Sequence, residues 1–141
     1  MLEETKAAID AFIRDRPSNP YFGHRRWIMN SEIHLYMRSG FHMVNGRAYG
    51  FLDLASADVS RPGKGLMTEI IKYCQTVTPY AGLFLESILN EQFMEHMKRW
   101  QKKDSRWVQC DQSFAWLKGG GESDEEKPDS AIEKNDLGRA A

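Results

Sequence analysis

A helix-like stripe between two apolar segments is the feature that most constrains the fold of this chain. Its apolar residues recur at helical spacing and end before Thr78-Pro79; they are Leu66, Ile70, Tyr73, Cys74 and Val77. Residues 47–57 and 82–88, on either side, are apolar on both faces, as expected of strands covered on two sides. Because a whole helix connects these two strands, they must run parallel.

The first half of the chain predicts one helix followed by an antiparallel meander. Residues 2–14 carry apolar side chains at helical spacing, and the prolines of residues 16–20 end that helix. Residues 21–31 are compatible with a short helix or a strand. From Glu32 the apolar period changes to two, which predicts a strand. Ser39-Gly40 and Asn45-Gly46 are both expected to form hairpin-type turns.

The second half predicts another helix and two closing strands. Phe93, Met94, Met97 and Trp100 mark the helix, while residues 106–110 and 113–117 read as strands around Asp111-Gln112. The expected fold class is therefore α/β (α+β): a mixed, mostly antiparallel central sheet with flanking helices and one strand–Gly-rich turn–helix–parallel strand unit.

The charge distribution separates a body from a tail. Of the 20 acidic and 19 basic residues in the 141-residue chain, seven acidic and three basic residues fall in 119–141. We expect a single domain over residues 1–118 and a flexible acidic tail over 119–141. The body keeps 16 basic and 13 acidic residues, which favours a small anionic ligand over a long polyanion. Two isolated cysteines and no long apolar run predict a cytoplasmic protein without a membrane span.

The strand-to-helix connection predicts an anion site. Residues 60–66 read Ser-Arg-Pro-Gly-Lys-Gly-Leu; Gly63 and Gly65 let a ligand approach the backbone, and the next helix begins with free N–H groups. Arg61 and Lys64 add positive charge. The alternative is a tight turn that simply requires glycine. The Walker pattern is absent, and the single strand–helix–strand unit is too little for a Rossmann domain.

Residues 32–117 resemble the GNAT superfamily of acyl-CoA N-acyltransferases, including its small phage-type members, in element order. Residues 61–67 are similar to that family's Q/R-x-x-G-x-G/A loop, with Gly65 at the first glycine, Met67 at the second position and Arg61 one residue early. The resemblance implies acetyl-CoA as co-substrate and a set of residues that contact it. These are Ala57, Asp58, Val59, Arg61, Gly63, Lys64, Gly65, Leu66, Met67, Thr68 and Asn90.

Acyl transfer to an amine requires a base, and two carboxylates are the candidates for catalysis. Glu86 and Asp53 each interrupt an apolar strand, where burial favours a basic carboxylate. The alternative is that Glu86 forms a salt bridge with an arginine and that Asp53 accepts structural hydrogen bonds. Met97 stands where many family members have a tyrosine that protonates the leaving sulfur. Either another group such as His96 or Tyr73 replaces it, or solvent suffices, or the protein no longer transfers acyl groups.

The roles of two further histidines and the protein's binding partners each allow more than one interpretation. His34 and His42 lie in the meander and are expected to be structural, and no metal-ligand spacing is present. The leading function is an N-acetyltransferase for an unknown amine, a small molecule or a protein. The alternatives are a catalytically inactive binding protein on the same fold and, more weakly, a nucleic-acid partner. Exposed edge strands after residue 106 could pair in a homodimer.

Overall fold

The computed structural model describes residues 1–19, 22–87 and 90–120. Within these ranges the elements, in chain order, are α1 (Glu3–Arg14), β1 (Arg25–Met29), β2 (Ile33–Val44), β3 (Arg47–Val59), α2 (Leu66–Val77), β4 (Gly82–Leu85), α3 (Glu91–Lys103), β5 (Trp107–Cys110) and β6 (Ser113–Leu117). None of the helices in these ranges combines the length and the apolar character needed to cross a bilayer.

The strands form one mixed sheet in the order β1-β2-β3-β4-β6-β5. The β3–β4 pair is parallel and the other four pairs are antiparallel. The predicted α+β class, with a mostly antiparallel sheet and one strand–helix–parallel strand unit, is confirmed. β1 and β5 are the two edges, so the predicted pairing between subunits stays a prediction.

All three helices contribute to a core on one face of the sheet. Ile9 and Phe12 of α1, Ile70 of α2 and Met97 of α3 pack with inward residues of the strands in this cluster. A smaller cluster lies on the opposite face, which we call the helix-free face because in the described part of the chain no helix residue joins it. Its buried residues are Val44, Tyr49, Phe51, Phe84, Ala115 and Leu117.

The structure corrects one turn and resolves one ambiguity. Ser39-Gly40 is not a turn: β2 runs through both residues to Val44. A residue without a side chain is needed at position 40 because a buried carboxylate of β3 lies against it, as described below. The turn at Asn45-Gly46 is confirmed, with φ of 53° and 82°. Residues 25–29, within the ambiguous segment, form a strand.

Two predicted segments extend past what the structure describes. The strand predicted over residues 82–88 is regular up to Leu85, and residue 88 lies outside the described residues. Residues 121–141, which make up most of the predicted acidic tail, also lie outside them. The division into a domain and a tail therefore stays a prediction.

Candidate functional site

The parallel pair of strands ends while β3 continues. β3 and β4 are in register only from Phe51↔Gly82 to Leu54↔Leu85, and the Glu86 N–H donates one more hydrogen bond, 3.1 Å, to the Leu54 carbonyl. β3 then runs to Val59, paired with β2 on its other side. Among the described residues no strand pairs with this side of β3 beyond that hydrogen bond, and we call this unpaired edge the gap. Ligands of open sheets bind where parallel strands end in this way.

The hydrogen-bond register of β3 turns specific backbone groups toward this gap. The Ser60 N–H donates to the Glu32 carbonyl at 3.0 Å, in register with the Ile33↔Val59 pair. Because antiparallel residues alternate between bonding the neighbour and facing away, Asp58 bonds toward β2. The N–H and C=O groups of Ala57 and Val59 face away from β2, into the gap. They can pair with an extended ligand that carries amide groups.

The loop after β3 leaves the first N–H groups of α2 accessible. Gly63 and Gly65 have φ of 80° and 81°, a conformation that side chains with a Cβ rarely adopt. Gly65 is the residue before α2, and no side chain caps the helix there in the described part of the chain. The amides of Leu66 to Thr68 are therefore available to an anion. Arg61 and Lys64 are exposed beside them.

The first turn of α2 contacts α3 near its start. Thr68 Oγ1 lies 3.0 Å from His96 Nε2, and the Asn90 side chain accepts from the Phe93 N–H at 3.0 Å to cap α3. Burial lowers the pKa of the His96 imidazole, and the positive charges of Arg99 and Lys72 lower it further. The gap, the loop and the start of α3 thus lie at one end of the sheet.

Both predicted catalytic carboxylates contact the same arginine. Arg38 Nε donates to Asp53 Oδ2 at 3.1 Å, and Arg38 Nη2 donates a close hydrogen bond to Glu86 Oε1. The bond to Asp53 raises the pKa of the Arg38 guanidinium. Asp53 is fully buried, whereas about a third of the Glu86 side chain, 33%, is exposed. The contacts that the structural alternative anticipated are therefore present, and Glu86 is the carboxylate that a substrate can reach.

A histidine completes this arrangement on the helix-free face. His42 Nε2 lies 2.9 Å from Asp53 Oδ2, and the His42 ring stacks on Phe84 with centroids 3.7 Å apart and an angle of 6°. Arg38, His42, Asp53 and Glu86 are called the polar cluster below. Asp53 Oδ1 is buried and has no hydrogen-bond partner in the described part of the chain, which costs about 1–3 kcal/mol.

Sequence reasoning gave Arg38 no role, placed Gly40 in a turn and expected His42 to be structural. The signal that could have found them is their spacing, because residues 38, 40 and 42 share one face of a strand. That face pairs with Asp53 only once the register of the hairpin is known, since Arg38 lies opposite Asp53.

Tyr73, one of the two residues considered for protonating the leaving sulfur, is engaged elsewhere, and the Met97 position is not accessible. The Tyr73 hydroxyl donates to Asp10 of α1, and burial together with this bond raises the pKa of Tyr73 to about 12. Met97 is fully buried in the core. Among residues 1–19, 22–87 and 90–120, no group of three or more His, Cys, Asp or Glu side chains could hold a metal ion.

Comparisons with known proteins identify no relative. No protein-family model, no curated protein and no solved structure matches this chain.

Proposed function

We propose that this protein is an acetyl-CoA-dependent N-acetyltransferase of the GNAT type. One observation carries the proposal. β3 extends beyond the end of β4, and backbone groups of Ala57 and Val59 face the gap beside it. A glycine loop lies on one side of this gap and an exposed carboxylate on the other. A long thiol carrier with amide groups in its arm and a diphosphate at its far end fits that order of features. The resemblance of residues 32–117 to the GNAT superfamily supports the same conclusion.

The pantetheine arm and the diphosphate of acetyl-CoA would each meet protein groups of complementary hydrogen bonding or charge. Ala57 and Val59 would pair with the amides of the pantetheine arm, as neighbouring strands do. The amides of Leu66 to Thr68 would hold the diphosphate, with Arg61 and Lys64 supplying positive charge. Asn90 holds the first turn of α3 in place beside the arm.

The thioester end of acetyl-CoA would lie where β3 and β4 stop pairing, beside Glu86. The exposed part of its carboxylate attracts an ammonium group, so Glu86 would hold the acceptor amine near the thioester. Asp53 is too deeply buried to touch substrate and acts through the side chains that it contacts. We place the activity in the cytoplasm, because Cys74 and Cys110 are both free, as in reducing compartments.

Calorimetric titration with acetyl-CoA tests the binding part of the proposal. The double variant Arg61→Ala/Lys64→Ala should weaken binding by about tenfold or more, because each charged contact to phosphate contributes about 1 kcal/mol or more. The matched control is Lys102→Ala/Lys103→Ala. It removes the same type of charge at the far end of α3, about 18 Å from its first turn. Absence of heat with the unchanged protein, or equal losses in both variants, would refute the site.

Release of free thiol from acetyl-CoA tests the catalytic part. We expect release above the uncatalysed rate with at least one primary amine from a panel of phenethylamine, spermidine and a lysine-containing peptide. Glu86→Gln should raise the KM for the amine, because the neutral amide no longer attracts an ammonium group.

Two observations favour a second function, a binding protein without acyl transfer. Met97 is buried where the family's acid would lie, and Arg38 pairs with both carboxylates. This function predicts that acetyl-CoA binds while thiol release stays at background with every amine in the panel. The two measurements together therefore separate the proposals.

A further inference from the structure

The Glu86 carboxylate already has a charged partner. It accepts a hydrogen bond from Arg38, which is permanently protonated. Removal of a proton from an amine is best served by a lone pair that no cation contacts. The polar cluster contains such a group.

One nitrogen of the His42 imidazole, Nε2, contacts Asp53, and the other, Nδ1, has no hydrogen-bond partner among the described residues. Asp53 Oδ2 receives Arg38 Nε as well as His42 Nε2, an arrangement that suits an ionised carboxylate. Nε2 of His42 is then the protonated nitrogen and Nδ1 carries the lone pair. Among the described residues Nδ1 has no hydrogen-bond partner, and 23% of the side chain is exposed.

The orientation of this ring is fixed from two directions. Asp53 forms a hydrogen bond with the ring nitrogen Nε2, and the Phe84 ring stacks on the imidazole with a centroid distance of 3.7 Å. Phe84 lies two residues before Glu86, a spacing of about 7 Å along a strand. The imidazole is therefore close to the exposed carboxylate that would hold an ammonium group.

We propose that His42, oriented by Asp53, is the general base that deprotonates the acceptor amine, and that Glu86, oriented by Arg38, binds the ammonium group before that transfer. This inference rests on the proposed acetyltransferase function and assigns its base. Asp53 and Arg38 are positioning residues, because each acts through another side chain.

The step balances with acetyl-CoA and a primary ammonium as reactants. Nδ1 takes one proton from the ammonium, and the freed lone pair attacks the thioester carbonyl carbon. The nitrogen–carbon bond forms as the carbon–sulfur bond breaks. The second nitrogen proton ends on the departing sulfur, which leaves as the thiol, and the imidazolium returns its proton to solvent.

Charged groups from three strands surround this imidazole. Asp53 of β3 and Arg38 of β2 are in direct hydrogen-bond contact within the cluster, and Glu86 follows β4. Arg47, at the start of β3, lies over the Tyr49 ring at 6.0 Å. The negative charge of Asp53 is compensated by Arg38.

Steady-state thiol release over a range of pH tests the assignment in the full chain. The variant His42→Gln keeps a donor toward Asp53 and removes the proton acceptor at Nδ1. We expect it to lower kcat by about 100-fold or more at neutral pH, with the KM for acetyl-CoA unchanged. It should also remove the acidic limb of the pH profile. The matched control is His34→Gln, an exposed histidine on the same strand, which should leave rate and profile unchanged.

Two further readouts make failure of this inference distinguishable from failure of the proposed function. If the unchanged protein binds acetyl-CoA and releases thiol while His42→Gln keeps its rate, the inference is overturned and the function stands. If acetyl-CoA does not bind, the proposed function itself fails. Nitrogen-detected NMR of the histidine rings needs no substrate: we expect the Nε2–H form of His42, and an Nδ1–H form would overturn the assignment.

Discussion

Gly40 leaves the space in which the Asp53 carboxylate lies. A Cβ atom at position 40 would be 2.6 Å from Asp53 Oδ2 and 3.3 Å from His42 Nε2. Asp53 is fully buried and is held by Arg38 and His42, so its carboxylate cannot swing aside freely. The absence of a side chain at position 40 is therefore a packing requirement of the polar cluster.

We expect Gly40→Ala to destabilise the protein and to separate His42 from Asp53. The added methyl overpacks a buried site, which typically lowers the free energy of unfolding by about 1–3 kcal/mol. Urea denaturation measures the stability, and NMR shifts of the His42 ring report the contact.

Gly50→Ala is the matched control on the facing strand. Its nearest neighbour would be Phe41 Cε1 at 3.5 Å, an ordinary contact. Its free energy of unfolding should stay the same or rise by up to about 1 kcal/mol, because alanine restricts the unfolded chain. Equal losses in both variants would show that Asp53 does not require the space at position 40.

Local patterns were sufficient to predict most of the fold. The period-two alternation after Glu32 identified β2, and the helical stripes identified α1, α2 and α3. The helix between β3 and β4 required those strands to be parallel, and they are. These predictions succeed because they depend on neighbours along the chain.

The polar cluster was missed because a turn was expected at Ser39-Gly40. The Asn45-Gly46 turn sets Val44 opposite Arg47 and, in the same register, Arg38 opposite Asp53. A turn at Gly40 would have ended the strand before that pairing reached Arg38. The error arose because a glycine that accommodates a distant carboxylate has the same local sequence as a glycine in a turn. A salt bridge between Glu86 and an arginine was anticipated as the structural alternative, but not that the same arginine would also contact Asp53.

His96 should make folding stability depend on pH. Its pKa is lowered in the folded state from the ordinary value of 6.5, first by burial and then by the charges of Arg99 and Lys72. The unfolded chain therefore binds this proton more readily. The stabilising contribution is complete above about pH 6.5 and is lost as the pH falls through the folded pKa.

The variant His96→Gln should remove this dependence while it preserves a polar contact to Thr68. Denaturation between about pH 8 and pH 5 should show that the unchanged protein loses more stability on acidification than the variant. The control His34→Gln concerns an exposed ring and should follow the unchanged protein. Parallel pH curves for the unchanged protein and His96→Gln would contradict the prediction.

Gly65 should tolerate asparagine better than alanine. Its φ is 81°, and no atom beyond its chain neighbours lies within 4 Å of where a Cβ would be, so the penalty is conformational and not steric. We expect Gly65→Ala to lower the free energy of unfolding by about 1–2 kcal/mol. Gly65→Asn should lose less, because asparagine adopts this conformation more readily.

Gly23→Ala is the control for the Gly65 series. A Cβ at position 23 would also meet open space, but the φ of Gly23 lies outside the left-handed range. The stability of this variant should change little. A comparable loss at Gly23 would mean that the cost at Gly65 does not come from the left-handed backbone.

Met97→Tyr tests whether the chain has a place for the acid that many GNAT members carry on this helix. The Met97 side chain is fully buried against the core, so a larger ring should overpack the site and lower the free energy of unfolding by about 1–3 kcal/mol. Thiol release should not increase, because a hydroxyl in the core cannot reach a sulfur in the gap. The exposed Gln92→Tyr, on the same helix, should change neither quantity. An increase in thiol release by Met97→Tyr would place position 97 next to the sulfur, and α3 would then have to turn that face toward the gap and away from the core.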